Sequence, residues 1–118
     1  MDQQEPDPPE LKEAVFLGNS MDDLRDFPIE PRRNCGHQID RVQNGLEPTD
    51  WKPMKSIGPG VKEIREYDHN GIYRVVYLAK FPEAVYVIHC FQKKTEATSK
   101  PDIDLAKTRY KNLIKDRK

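Results

Sequence analysis

Cysteine is scarce in this chain: there are two, Cys35 and Cys90, with no CxxC pair and no metal-type spacing. That argues against a disulfide scaffold or a thiolate metal centre and predicts two buried thiols in a reducing compartment. Long apolar runs are missing too. No stretch approaches the roughly 20 apolar residues needed to span a bilayer, so no membrane partner is expected. The opening MDQQEPDPPE is acidic and proline-rich, with neither the basic start nor the apolar run of a secretory leader, and a cytoplasmic protein is expected.

Net charge is also absent, with 20 Lys and Arg against 20 Asp and Glu. The balance is uneven along the chain. Residues 1–50 hold 12 acids and 5 bases, whereas residues 51–118 hold 8 acids and 15 bases. An acidic front half therefore precedes a basic back half, whose surface suits a polyanion or is a solvated face balanced by the front. At 118 residues the chain is one domain's worth. Residues 1–10, with three prolines and four acids, read as a disordered acidic tail, and residues 11–118 as a single domain.

What is present is a meander. Between Val61 and Thr95 the sequence VKEIREYDHNGIYRVVYLAKFPEAVYVIHCFQKKT carries three strand-like segments. Asn70-Gly71 between the first two is the dipeptide that most readily takes hairpin angles. Phe81, Pro82 and Glu83 separate the second from the third, because proline cannot donate to a central ladder. A charge within a strand needs an exposed face, an edge or a partner. Arg65, Arg74, Lys93 and Lys94 are therefore the informative residues. Alternation places Arg65 with Val61 and Glu63, and Arg74 with Ile72, Val76 and Leu78; whether those faces coincide depends on register.

Ala14–Leu17 predicts one added strand. A short helix is expected from Ser20, with Asp23 in a capping box, and a second from about Ile29 to Asn44, stopped by Gly45. Together they form a helical hairpin over one face of the sheet. Glu47 to Gly60 reads as a long loop packed through Trp51, Met54 and Ile57. Near the end, Ser99 with Asp102 forms a capping box and Pro101 sits in the first turn. Ile103, Ala106, Tyr110, Leu113 and Ile114 then form the inner stripe of a helix, with Lys107, Arg109, Lys111 and Lys115 expected outward.

EIRE, then GIYRVVY, then YVIHCFQKKT followed by a helix resembles the RelE/HigB superfamily of type II toxin–antitoxin toxins, most closely its phage-derived HigB-like branch. The resemblance runs from about Ala14 to Tyr110 and includes WKPMKSIGPGVKEIRE. It implies an α+β, RelE-like fold: an antiparallel meander with an added N-terminal strand, the helical hairpin on one face, and a C-terminal helix. The implied activity is endoribonucleolytic cutting of messenger RNA on the ribosome, without cofactor or metal. The implied partners are the ribosome, the message and a helix-turn-helix antitoxin. The alternative is an RNA- or protein-binding module that keeps the fold without cleavage.

In such a reaction the ribose 2′-hydroxyl attacks the adjacent phosphate, which requires a base, an acid for the 5′-oxygen and cations for the gathering charge. The resemblance assigns Arg74 to the scissile phosphate, Arg65 as a second cation, and Lys93 and Lys94 as a basic pair, one shifted toward proton transfer by its cationic neighbours. His89 reads either as an acid–base group or as a satisfied core residue. Lys52, Lys55, Lys62 and Lys100 are the candidate RNA-binding cations. Tyr67, Tyr73 and Tyr77 are candidates for base stacking or for the core. Glu96, Ala97 and Thr98 stand where related sequences carry a further lysine, and Lys100 is nearest the position of a helix-entry tyrosine.

Overall fold

The computed structural model describes residues 11–93 and 97–117. Strand β1 spans Glu13–Phe16, helix α1 Ser20–Arg25, helix α2 Ile29–Gln43, and strand β2 Trp51–Pro53. Strands β3 (Val61–Asp68), β4 (Gly71–Leu78) and β5 (Ala84–Lys93) follow, and helix α3 (Lys100–Asp116) ends the described chain. The strands form one five-stranded sheet ordered β1-β5-β4-β3-β2. Only the β1–β5 pair is parallel. This is the expected α+β arrangement of meander, added strand, N-terminal helices and C-terminal helix, and it is compatible with a RelE-like fold.

Both faces of the sheet are covered, so alternation in β3–β5 divides side chains between two cores. On one face Ile64, Tyr73, Val75, Tyr77, Val85 and Val87 meet Leu24, Phe27, Cys35, Ile39 and Val42 of the N-terminal helices. On the other, Val61, Val76, Leu78, Ile88 and Phe91 meet Ala106 and Leu113 of α3 together with Met54 and Ile57. Cys35 and Cys90 are buried thiols, as expected. Among the described residues no helix is long and apolar enough to cross a membrane.

Several details differ from the sequence reading. The Glu47–Gly60 segment contains a strand, since Trp51–Pro53 adds to the outer edge of β3. Ser20 does not cap α1; its hydroxyl donates to the Val87 carbonyl at 3.2 Å, and Asn19 at the cap position makes no side-chain cap bond. Arg109 turns inward rather than out. It lies over Gly18, where an added Cβ would come within 2.6 Å of its Nε, and its Nη1 donates to the Ile88 carbonyl at 2.9 Å. Farther along α3, the Tyr110 ring closes over Gly58, where an added Cβ would stand 2.5 Å from it. The Ser99–Asp102 capping box forms as expected, with the Asp102 N–H donating to Ser99 Oγ.

The Ile88 contact matters because β5 carries a bulge there. Val76 pairs with His89 but Tyr77 pairs with Val87, so Ile88 is the extra residue. One extra residue inverts the side-chain parity beyond it. Regular alternation from Val85 and Val87 would send His89, Phe91 and Lys93 toward the N-terminal helices. The bulge sends them to the α3 side instead.

Candidate functional site

The register places cations from four strands on one face. Lys52 of β2 pairs with Glu63 of β3. Glu63 pairs with Val76 of β4, and Val76 with His89 of β5. In the next row Arg65 pairs with Arg74, which pairs with Phe91; in the third, Tyr67 pairs with Ile72, which pairs with Lys93. Paired residues share a face, so Arg65 and Arg74 do coincide. Lys52, Glu63, Arg65, Arg74 and Lys93 lie together on the α3 side of the sheet, at the end where α3 begins.

Glu63 is at the centre. Its carboxylate is fully buried, and Oε1 lies 3.3 Å from Arg74 Nη1 and 4.0 Å from both Lys93 Nζ and Lys52 Nζ. Thr98 Oγ1 donates to the other oxygen, Oε2, at 3.3 Å. Arg74 and Lys93 are 1% and 4% exposed. Lys52 and Arg65 form the accessible layer, Arg65 with its Nε 3.9 Å from Asp50. Among the described residues these four cations face two carboxylates, Glu63 and Asp50. Arg74 Nε and Nη1 and Arg65 Nε are buried donors without a hydrogen-bond partner, which leaves them capacity for an oxyanion; Glu63 Oε1 is a buried acceptor that likewise makes no hydrogen bond.

Burial lowers the pKa of Lys93; Glu63 opposes this, while Arg74, Lys52 and Arg65 reinforce it. The same cause lowers Arg74, with Glu63 opposing and Arg65 reinforcing. An ammonium held below its ordinary range releases a proton more readily than an exposed one.

His89 ends the row of Lys52 and Glu63 and is 5% exposed. Its Nε2 lies 2.7 Å from Asp102 Oδ1, its ring stacks on Phe91 at 4.8 Å, and its Nδ1 is buried without a partner. It also lines a shallow 350 Å³ depression with Asp23, Asp26 and Phe27. Tyr67, 49% exposed, stands on the cation face, while Tyr73 and Tyr77 belong to the opposite core.

Three other candidate cations, Lys62, Lys55 and Lys100, lie apart from this cluster. Lys62 projects from the opposite face, 3.0 Å from Glu47 and over the Trp51 ring. Lys55 is exposed between the buried Met54 and Ile57. Lys100 is exposed at the start of α3 and pairs with Asp104 at 2.8 Å. Lys94, like the tail 1–10, lies outside the described residues.

Sequence reasoning passed over two acidic members of the site. Glu63 shares the face of Arg65 by simple alternation, and a carboxylate two residues from an arginine in a buried strand was the available signal. Asp102 was read only as a helix cap, yet its second oxygen reaches His89. Among the described residues no group of three or more His, Cys, Asp or Glu side chains is placed to hold a metal ion.

Residues 22–111 match the sequence model of the family described as Phage derived protein Gp49-like (DUF891). None of the curated proteins matches the chain.

Proposed function

The chain belongs to the phage-derived Gp49-like family, a RelE/HigB-like family associated with toxin–antitoxin toxins, and on that premise we propose that it is a type II toxin that cuts messenger RNA on the ribosome. The observation carrying this reading is the convergence of Lys52, Arg65, Arg74 and Lys93 from four adjacent strands on one sheet face. In the proposed reaction O2′ bonds to phosphorus, the P–O5′ bond breaks, and the products are a 2′,3′-cyclic phosphate and a 5′-hydroxyl. Lys52 and Arg65 grip the backbone from the accessible layer. Arg74 supplies fixed positive charge at the phosphate, and Lys93, with its lowered pKa, and His89 are the proposed proton-transfer groups, one taking the O2′ proton and the other protonating O5′. Lys94, Lys55, Lys62 and Lys100 remain proposed contributors to RNA binding or catalysis. Family membership implies an antitoxin partner; we propose a small helix-turn-helix protein.

A second reading, a binding module on this fold that does not cleave, is favoured by one observation: the Arg74 guanidinium is 1% exposed and faces Glu63 at 3.3 Å. Induction of the wild type distinguishes the two. Growth arrest with loss of intact transcripts, relieved by Arg65→Ala at an undiminished level of folded protein, supports the nuclease. Unimpaired growth and intact transcripts support the binding module.

A further inference from the structure

We propose that Glu63 is the positioning residue of the cation cluster: its carboxylate takes the place of a phosphate's charge among Lys52, Arg74 and Lys93 and keeps them aimed at one point when no RNA is bound. The functional consequence rests on the nuclease reading above; the electrostatic claim does not.

The geometry is that of a shared counter-ion rather than a simple pair. A dedicated Arg–carboxylate pair presents both oxygens to the guanidinium. Here one oxygen serves three cations at 3.3, 4.0 and 4.0 Å, while the other is held by Thr98. Glu63 Oε1 and Arg74 Nη1 and Nε make no hydrogen bond, so the guanidinium keeps donors for another anion. The cations also repel one another. Arg65 and Arg74 are directly opposite across β3 and β4, where like charges destabilise a sheet. Buried positive charges this close need a negative one, and Glu63 is the fully buried carboxylate at their centre.

The test is thermal unfolding of the full chain in chloride and in sodium phosphate at equal ionic strength, for wild type, Glu63→Gln and Glu63→Gln/Arg74→Met. Stranding buried cations should lower the Glu63→Gln midpoint in chloride by about 10 °C or more. Phosphate, binding the folded state at the accessible Lys52 and Arg65, where the cluster's charge is no longer offset by Glu63, should return about 5 °C of that in Glu63→Gln and leave the wild type nearly unmoved. The double variant, with the most buried cation also removed, should recover much of the loss and respond less to phosphate. It keeps the test decisive if Glu63→Gln alone does not fold. An undiminished midpoint in Glu63→Gln, or the same phosphate response in all three proteins, would overturn the proposal. In RNA cleavage by folded Glu63→Gln, kcat should fall more than KM rises; unchanged kcat would remove the positioning role. A wild type that never cleaves would refute the nuclease reading and leave the thermal comparison standing.

Discussion

Arg65→Ala should separate what the cation cluster does from what holds the fold together. The Arg65 side chain is 29% exposed, and Asp50, its carboxylate neighbour, is 3.9 Å away and itself exposed. Such a pair contributes at most about 1 kcal/mol. Relief of repulsion from Arg74, directly opposite, returns about 0.2–1 kcal/mol. The net change in stability is therefore about 1 kcal/mol or less, a midpoint shift of about 4 °C or less. Function should respond far more. If four phosphates are neutralised, the log-log salt slope of single-stranded RNA binding is about −3, and losing one contact weakens it by about 0.7. Losing a charge-assisted backbone contact of about 1.5–3 kcal/mol should lower kcat/KM for cleavage by about tenfold or more. Anisotropy of a labelled single-stranded RNA across a salt series, beside thermal unfolding, measures both effects. A folded Arg65→Ala protein with unaltered slope and unaltered cleavage would refute the reasoning.

Three further predictions concern the fold. Burial pushes the Cys35 thiol up to about 12 and raises that of Cys90, so both should react with a disulfide reagent at pH 8 only as fast as the protein unfolds; immediate labelling would contradict their burial. Arg117, bonded through two nitrogens, and the Tyr86 hydroxyl hold the Glu83 carboxyl down to about 2, which an NMR titration should find. Because the folded value lies below the ordinary 4.5, this contribution to stability is present above that pH and is lost as pH falls toward 2; Arg117→Ala should return the midpoint toward the ordinary value and abolish that dependence. Gly58→Ala would drive a methyl into the Tyr110 ring and should cost about 1–3 kcal/mol in urea unfolding, partly relieved by Tyr110→Leu.

Much of this architecture could be read from local chemistry. Asn70-Gly71 marked the place of the hairpin, although its two loop residues are His69 and Asn70 and only Gly71, the first residue of β4, has a positive φ, of 152°; Pro82 marked the break before β5, and Ser99 with Pro101 the start of α3, where orphan N–H groups favour those residue types. The site was less legible, since it depends on register between strands rather than on order within one. Alternation alone left the relation of Arg65 to Arg74 open, and the hairpin closed by Asp68 and Gly71 settles it. The bulge at Ile88 has no marker in AVYVIHCFQK, yet it puts Lys93 and His89 on the cation face. Arg109 looked like an outward charge because its partners, Gly18 and the Ile88 carbonyl, are distant in sequence.

If cations from four strands converge to grip and break a ribose–phosphate linkage, mapping RNA ends on translating ribosomes after induction should reveal new 5′-hydroxyl ends with matching 2′,3′-cyclic phosphates within codons at the ribosomal A site, lost in Arg65→Ala. Intact messages from wild-type cells, or equal cleavage with and without Arg65, would contradict it.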